Sequence, residues 1–386
     1  MSQARPILIT GARAPVALDI ARACRAAGLS AHLADSVTPF AARALRPHLP
    51  IHRLPRPRDE FAALRRCLLE LIERWDFAQI IPTCEEVFWL AEAAARDGWS
   101  ERLFAPAPTL LRTLHSKAQF NAFAADLGIA VPPSVVLDAP FSAQALPFAT
   151  DELVLKPEYS RFATHTLIAP TAARLARVQP SAQMRWVAQQ RIRGEEFCSW
   201  AAVHQGRVLA FAAYRPRWRQ GQAAAFQMEA VNQAAIESVT QRIAAATGMT
   251  GHLSFDLIID ASGQALPLEC NPRAVSGLHL FDAAPALAQA LLGEASLPTP
   301  PLGRLRHMGP AMALLGLPTA LLSGRSRALC QDWRNSQDVI DREGGGRVTL
   351  GCLADALRFT LYAVRAGLSP AGATTADIEW DGQCMP

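Results

Sequence analysis

Lysine is nearly absent from this sequence. Of its 38 basic residues, only Lys117 and Lys156 are lysines, and the remaining 36 are arginines. A lysine ammonium is a compact, flexible point charge, whereas a guanidinium is a planar fork, so keeping lysine at two positions indicates sites that need the smaller cation. Phosphate binding is one such need. The alternative is that both lysines are chance survivors on the surface.

The sequence also lacks the features of several protein classes. It has no apolar run of the roughly 18 residues that a membrane span requires and no secretory signal, so we expect a cytoplasmic protein with no membrane partner. Its eight cysteines are scattered, without the spacing of a disulfide framework or a zinc site. A net charge of only +4, with dispersed arginines, argues against nucleic acid as a partner.

The first third alternates strands and helices. Three apolar runs predict strands, at 6–10, 31–34 and 78–82. The helix after the first run begins at Pro15 and ends before Gly28. This alternation predicts a parallel, doubly wound, Rossmann-like sheet. Only Gly11 stands where a dinucleotide fingerprint requires three glycines, so a nicotinamide or flavin site is not indicated.

The segment after the third strand carries a helix-capping pattern. Thr83 and Glu86 predict a capping box, in which each side chain satisfies a backbone N–H of the other. The segment also lies at the carboxyl edge of the predicted sheet, where doubly wound folds bind ligands. Glu85 is therefore a candidate substrate contact.

The remaining chain predicts an α+β organisation. Prolines up to residue 108 form a connector, and Ser116 is expected to cap a helix through Gln119. Strands are expected at 153–156, 166–168, 186–190, 199–203 and 208–213, and a helix is expected at 234–246. Beyond a second proline-rich stretch the pattern is irregular until a helix at 353–366. We predict four parts, with bounds 1–108, 109–185, 186–296 and 297–386.

A hairpin around residue 262 carries the sharpest local pattern. With a loop at 261–264, Asp256 lies opposite Glu269, and like charges opposite each other are destabilising unless a cation lies between them. Alternation adds Asn271 to the same face. Two carboxylates and an amide are ligands that Mg²⁺ accepts together with substrate phosphates. The alternative is a solvent-facing hairpin end with both carboxylates in water.

Five segments together resemble the ATP-grasp superfamily in order and spacing, from about residue 110 to 290: Lys117 on a capped helix, 153–157, 189–197, 255–256 and 269–273. Its members include carbamoyl-phosphate synthetase, biotin carboxylase and carboxylate–amine ligases of the D-Ala-D-Ala ligase type. The first third resembles their pre-ATP-grasp domain. The resemblance implies a Rossmann-like domain, a two-lobed ATP-grasp fold and a C-terminal extension.

The resemblance also implies roles for individual residues. Lys117 and Lys156 would contact the phosphates of ATP, Arg273 would act with Lys156 on the transferred phosphate or the substrate carboxylate, and Glu196 would accept from the ribose. The strand facing adenine would be Gln189, Gln190, Arg191 and Ile192. The magnesium (or manganese) ligands would be Asp256, Glu269 and Asn271.

Two segments depart from the pattern or leave it open. Where the family usually has a glycine-rich phosphate loop, residues 158–165 contain no glycine. Ser160, Thr164 and backbone N–H groups would then hold phosphate, with Arg161 adding charge. In a predicted loop after the strand at 208–213, Arg215 and Arg219 are candidates to hold an anionic substrate; the alternative is a solvated basic loop.

The expected function is that of a ligase which phosphorylates a small carboxylate with ATP and passes the acyl group to an amine. Two alternatives stay open: a bicarbonate-activating enzyme like carbamoyl-phosphate synthetase or the carboxylases, and a non-catalytic ATP-binding regulator. The resemblance also suggests a homodimer.

Overall fold

A parallel sheet with helices on both faces forms the N-terminal part of the computed structural model, which describes residues 5–160, 165–219 and 225–385. Its elements are β1 (Ile7–Thr10), α1 (Pro15–Ala26), β2 (Ala31–Asp35), α2 (Phe40–Arg43), β3 (Ile51–Arg53), α3 (Phe61–Trp75), β4 (Gln79–Ile81) and α4 (Glu86–Asp97). The strand order is β3-β2-β1-β4. The predicted doubly wound sheet is confirmed, and the short, polar edge strand β3 was not predicted.

The turn after β1 is fixed by the segment that follows β4. Gly11 has φ +67°, and a Cβ there would lie 2.5 Å from the Thr83 hydroxyl. Glu86 accepts from the backbone N–H of Thr83 at 3.0 Å, as the capping box predicts. The Thr83 hydroxyl instead donates to the carbonyl oxygen of Thr10 at 2.9 Å, so it ties two strands together rather than capping α4.

A connector leads into a small antiparallel sheet. The connector contains a 3₁₀ turn (Ser100–Arg102), α5 (Pro108–His115) and α6 (Lys117–Asp126). Ser116 caps α6 by accepting from the N–H of Gln119 at 3.1 Å, which confirms that prediction. The sheet follows with β5 (Ser134–Leu137), 3₁₀ turns at Ala143–Ala145 and Thr150–Glu152, β6 (Leu153–Pro157), β7 (Leu167–Ile168), α7 (Ala172–Leu175) and β8 (Trp186–Gln190).

The small sheet has the order β5-β8-β6-β7. Strand β8 therefore lies in this sheet, and a division at 185/186 separates it wrongly from its neighbours. Ala188 packs with Leu153 and Leu155 in the apolar core under the sheet, and this contact between distant residues is not visible in the local pattern. The other predicted bounds stay predictions.

A larger, mainly antiparallel sheet forms the rest of the core. Its first elements are β9 (Glu195–His204), β10 (Arg207–Arg219), β11 (Ala225–Val231), α8 (Ala234–Thr247), β12 (Gly251–Ile259), β13 (Ala265–Asn271), a 3₁₀ helix (Ser276–Leu280) and α9 (Pro285–Leu291). The prediction of a loop after residue 213 is wrong, because β10 continues to Arg219. It does so by pairing with β11, which was not predicted.

The C-terminal region adds to both large units. Its elements are β14 (Leu305–His307), α10 (Gly309–Ala311), a π-helical turn (Met312–Gly316), α11 (Leu317–Leu322), α12 (Ser326–Arg334), β15 (Gln337–Asp338), α13 (Arg347–Ala366) and α14 (Pro370–Ala373). Among the described residues, the sheet order is β13-β12-β9-β10-β11-β14-β15. The last residues return to the N-terminal part, where Trp380 joins its core. None of the described helices has the length and apolarity of a membrane span.

A buried histidine lies where the large sheet meets the residues before α5. His252 on β12 is 2% exposed, and its Nδ1 accepts from Trp200 Nε1 at 3.2 Å. The Phe104 ring packs edge-on against it at 5.0 Å. Burial lowers the pKa of His252 from 6.5 to about 3.

This histidine makes stability sensitive to acid. Between pH 6.5 and about 3 the unfolded chain binds a proton at His252 that the folded chain excludes, so the free energy of unfolding falls as the pH is lowered through this window. The contribution is about 1.4 kcal/mol per pH unit. In His252→Asn the amide oxygen replaces Nδ1 as the acceptor. We expect the free energy of unfolding of this variant, measured by denaturant titration at pH 6 and pH 5, to fall less with decreasing pH than that of the wild type, by the equivalent of one bound proton. Equal slopes would contradict this assignment.

Candidate active site

The hairpin of β12 and β13 has the predicted partners but a different loop. Ile259 pairs with Ala265, so the loop is residues 260–264, one residue longer than predicted. The carboxylate of Asp260 closes it by accepting from the N–H groups of Ser262 at 2.9 Å and Gln264 at 3.0 Å. Asp260 therefore belongs to the turn rather than to the strand.

A β-bulge on β13 restores the predicted pairing. The register shifts by one residue between Leu257 and Asp256, so that Asp256 faces Glu269. The extra residue is Leu268, which is half-buried. Its carbonyl oxygen accepts a hydrogen bond of 3.0 Å from Nζ of Lys156. The bulge thus creates the contact that binds one of the two lysines.

Four register partners form a row across neighbouring strands. Tyr214 on β10 pairs with Cys198 on β9, Cys198 pairs with Asp256 on β12, and Asp256 pairs with Glu269 on β13. Paired residues share a sheet face, so these side chains line one surface. The pKa values of the Tyr214 hydroxyl and the Cys198 thiol are raised well above their usual range, first by burial and then by neighbouring groups. Both groups are therefore neutral neighbours of the carboxylates.

Both lysines converge on this row. Lys117 and Lys156 are each 5% exposed. Nζ of Lys117 lies 3.5 Å from a carboxylate oxygen of Glu269 and donates to the Ser160 carbonyl at 3.3 Å. Burial lowers the pKa of Lys156 to about 8, although Glu269 opposes this shift. The two lysines are not surface survivors, because both lie buried beside one carboxylate.

The two facing carboxylates respond differently to their surroundings. Burial raises the pKa of Asp256 to about 7, and the neighbouring Glu269 adds to the rise. Burial acts in the same direction on Glu269, but Lys117 and Lys156 outweigh it and lower that pKa to about 2. The predicted cation between the carboxylates is therefore supplied in part by the lysines, which act mainly on Glu269, whereas Cys198 and Arg273 offset only part of the rise in the pKa of Asp256.

Asn271 and Arg273 connect this face to the N-terminal part. Nη2 of Arg273 donates to the Asn271 side-chain oxygen at 2.9 Å, and Nε of Arg273 lies 3.1 Å from Oε1 of the buried Glu85. The Asn271 amide nitrogen lies 3.4 Å from Asp256. The structure thus brings Glu85, predicted from its position at the sheet edge, into contact with the predicted catalytic arginine.

The donor set fits a hard cation with one adjustment. Asp256 and Glu269 supply oxygens on adjacent strands, as Mg²⁺ requires. The Asn271 oxygen faces Arg273, so its amide would have to turn over to face the metal position. Within the described part of the chain, no three His, Cys, Asp or Glu side chains form a metal-binding group.

Sequence analysis missed an ion pair beside the lysines in which the carboxylate is buried and the arginine is partly exposed. Glu158 is 2% exposed, and Arg185 contacts both of its carboxylate oxygens, at 2.7 and 2.8 Å. The Ser116 hydroxyl also donates to Glu158. Its backbone carbonyl accepts from Nζ of Lys117 at 3.4 Å. The pair has no local sequence signal, because Arg185 lies 27 residues from Glu158.

The predicted nucleotide-base and substrate residues lie further along the same sheets. Gln189 and Gln190 end β8, whereas Arg191 and Ile192 lie in the link to β9. Glu196 contacts Arg219 at 2.5 Å. Arg215 contacts Glu195 at 2.5 Å and Glu229 at 3.4 Å, so both candidate substrate arginines are paired with carboxylates.

The predicted glycine-free phosphate loop is described only in part. Ser160 is half-buried, and its carbonyl accepts from Lys117. Arg161 and Thr164, which were expected to contribute charge and a hydroxyl, lie outside the described residues.

Comparison with known proteins identifies the fold. No protein-family model and no curated protein matches the sequence. The solved structure of an L-amino acid ligase from Bacillus licheniformis matches with a TM-score of 0.57 and 17% identity, over 76% of this chain and 75% of that one. N5-carboxyaminoimidazole synthetase from Staphylococcus aureus complexed with ADP matches with a TM-score of 0.62 and 12% identity, over 84% and 87%.

A third neighbour is the biotin carboxylase domain dimer of 2-oxoglutarate carboxylase from Hydrogenobacter thermophilus, solved with MgADP, ADP and bicarbonate. It matches with a TM-score of 0.59 and 13% identity, over 78% of this chain and 73% of that one. These likenesses confirm that the chain has the ATP-grasp fold that its motifs resemble.

The facing carboxylates predict a stabilising substitution in the metal-free protein. Asp256→Asn removes one of two like charges held opposite each other, so we expect the free energy of unfolding in the presence of a chelator to rise by about 1 kcal/mol. Mg²⁺ should then raise the melting temperature of the wild type more than that of the variant.

The matched control is Asp260→Asn, on the same hairpin. Its amide oxygen keeps the loop hydrogen bonds, so stability and the response to Mg²⁺ should stay as in the wild type. If Asp256→Asn is destabilising and Asp260→Asn is neutral, the two carboxylates do not repel each other in the folded protein.

Proposed function

We propose that this chain is an ATP-dependent carboxylate–amine ligase that works through an acyl phosphate on a small-molecule or amino-acid substrate. The observation that carries the proposal is the cluster in which the buried Lys117 and Lys156, together with Arg273, meet Glu269, Asp256 and Glu85. Six charged groups held this close together and partly shielded from water are costly without a ligand that uses them. The fold supports the same conclusion, because ligases and carboxylases share it.

The proposed reaction has two balanced steps. A carboxylate oxygen of the substrate attacks the γ-phosphorus of ATP, the bond to the β–γ bridging oxygen breaks, and ADP leaves. The acyl phosphate then reacts with an amine: the new C–N bond forms, inorganic phosphate leaves, and the amine loses a proton. Catalysis consists of positioning and charge stabilisation, so no covalent enzyme nucleophile is required.

Each buried charge has a place in this reaction. Lys117 and Lys156 stabilise the negative charge of the phosphates, and Arg273 stabilises the transferred phosphoryl group or the substrate carboxylate. Asp256, Glu269 and the turned Asn271 amide would hold Mg²⁺, which neutralises and aligns the phosphate oxygens when bound. Mn²⁺, with similar ligand preferences, is a substitute to test.

We propose that the adenosine end of ATP lies next to the link between the small sheet and the large sheet. In this proposal the backbone from Gln189 to Ile192 contacts adenine, and Glu196 accepts from the ribose hydroxyls. The carboxylate of Glu196 contacts Arg219 in the structure, so nucleotide binding would exchange that ion pair for the ribose. Ser160 would lie over the phosphates beside Lys117.

The substrates are proposed to bind between Arg273 and the N-terminal part. Glu85 presents a buried carboxylate at the sheet edge and contacts Arg273, so a carboxylate next to Arg273 and an ammonium next to Glu85 would both find an opposite charge. Arg215 and Arg219 are weaker candidates for an anionic substrate, because carboxylates of the protein already pair with them.

A bicarbonate-activating reaction is the second candidate, because one structural neighbour was solved with bicarbonate. Bicarbonate has the same carboxylate chemistry, and the phosphorylating groups would act on it unchanged. The same neighbour is a dimer, and we include a homodimer in the proposal.

The first test is release of ADP and phosphate from Mg-ATP with a panel of carboxylates, including amino acids and bicarbonate, each with and without amines. We expect one acid–amine pair to stimulate release. Glu269→Gln and Lys156→Met should lower kcat/KM by about a hundredfold or more, because each removes a charge beside the reacting phosphate. Glu294→Gln, at an exposed position, is the control and should match the wild type.

The outcomes separate the candidates. Stimulation by bicarbonate alone would favour the carboxylase-like reaction over amide formation. ATP binding without turnover on any pair would favour a non-catalytic regulator, and absence of ATP binding would refute the proposal.

The scarcity of lysine generates a second prediction. Lys156→Arg keeps the positive charge but puts a larger, planar group into a position that is 5% exposed. We expect KM for ATP to rise about tenfold or more, because the guanidinium cannot reach both the Leu268 carbonyl and a phosphate from that position. The reverse change at an exposed arginine outside the proposed nucleotide contacts, Arg207→Lys, should leave the affinity for ATP unaltered. Full activity of Lys156→Arg would contradict a size requirement.

A further inference from the structure

The last residues of the chain connect two distant parts of the molecule. Residues 374–383, here called the C-terminal strap, run from the carboxyl edge of the N-terminal sheet to the segment that follows β6. No role for them is visible in the sequence. The proposal that follows rests on the proposed function, because it concerns the nucleotide site.

One end of the strap is fixed by a buried carboxylate. Asp377 makes two hydrogen bonds with Arg13, at 2.7 and 2.9 Å, and accepts from the Ser36 hydroxyl at 2.5 Å. Arg13 also pairs with the buried Asp35. The Arg13 side chain is 4% exposed, so this two-pronged contact is shielded from water and strong.

The middle of the strap is held by its backbone. The carbonyl of Ile378 accepts from Trp89 Nε1 at 3.0 Å. The carbonyl of Asp377 accepts from the N–H of Arg58 at 3.0 Å. These bonds fix the strap along α4 and set the direction in which the next residues leave.

The other end of the strap places Trp380 against the segment that follows β6. Trp380 is 4% exposed and stacks on Phe88 at 5.2 Å. Its ring meets Tyr159 edge-on at 5.0 Å and lies 6.3 Å from His115. Gly382 lies so close to Tyr159 that a Cβ would be 2.7 Å from the ring.

Tyr159 and His115 lie next to the groups that hold Lys117. The carbonyl oxygens on either side of Tyr159, those of Glu158 and Ser160, both accept from Nζ of Lys117. His115 ends α5, two residues before Lys117. A shift of the Tyr159 ring therefore moves the atoms that hold the lysine.

We propose that Trp380 is a positioning residue for the nucleotide site, acting through Tyr159 to hold Lys117 in its binding position. Without this contact the segment around Tyr159 samples other positions, and nucleotide binding has to order it again, which lowers affinity. An aromatic ring is the required element, since the contact is between ring faces and edges.

The test is the dissociation constant of ADP with Mg²⁺, measured by calorimetry on the full chain. We expect Trp380→Leu to weaken ADP binding about five- to tenfold, as loss of an aromatic pair implies. Trp380→Phe, which keeps a ring, should stay within about twofold of the wild type. This rescue by the conservative variant distinguishes positioning from loss of a strap side chain in general.

A matched control separates the effect from lost stability. Trp99 is 5% exposed in the same apolar core, and in the described part of the chain its ring does not contact Tyr159 or His115. Trp99→Leu should lower the melting temperature without changing ADP affinity. If Trp380→Leu does not fold, Tyr159→Leu removes the same ring contact by changing the half-buried partner. This variant is expected to show the same loss of ADP affinity.

The outcomes are distinguishable. Wild-type affinity in a folded Trp380→Leu or Tyr159→Leu variant would overturn the positioning role while leaving the proposed function intact. An equal loss in Trp99→Leu would also overturn it, because the effect would then follow from core stability. No ADP binding by the wild type would refute the proposed function and, with it, this inference.

Discussion

Asp256 and Glu269 are held opposite each other on neighbouring strands, both half-buried, and much of the surrounding structure compensates for their repulsion. Lys117 and Lys156 approach from two other elements and favour the ionised form of Glu269. Asp256 contacts the amide of Asn271, and Arg273 offsets only part of the rise in its pKa. In the proposed function, a bound metal ion would add positive charge beside Asp256.

The size of the site explains why lysine persists in a chain that otherwise uses arginine. Each lysine is almost fully buried and bonds a backbone carbonyl, and in the proposed function it keeps a donor for a ligand. A guanidinium presents its donors in a fixed plane, which suits the paired carboxylates met by Arg13 and Arg273 at the sheet edges. Lysine and arginine therefore occupy different kinds of site because their donors differ in geometry.

Whether a contact could be predicted from the sequence depends on how far apart its two residues lie along the chain. Alternation along one hairpin was enough to place Asp256 opposite Glu269, and composition singled out both lysines. The five-residue loop and the bulge at Leu268 were missed, yet their effects cancel and leave the predicted pair in register. Glu158 with Arg185 and Trp380 with Tyr159 are contacts between separate elements, and no local period encodes them.

The charged groups of the site come from all units of the fold, and this couples assembly to function. Glu85 follows the N-terminal sheet, Lys117 lies on the connector helix, Lys156 on the small sheet, and Asp256, Glu269 and Arg273 on or just beyond the strands of the large sheet. Each unit alone would carry a charge without its partner, which is costly to bury. Displacing the small sheet would remove Lys156 from the Leu268 carbonyl and the field of Glu269 together. The charge balance therefore exists only in the assembled molecule, so a contact that fixes how the units sit, such as the Trp380–Tyr159 pair, acts on the site without touching a ligand.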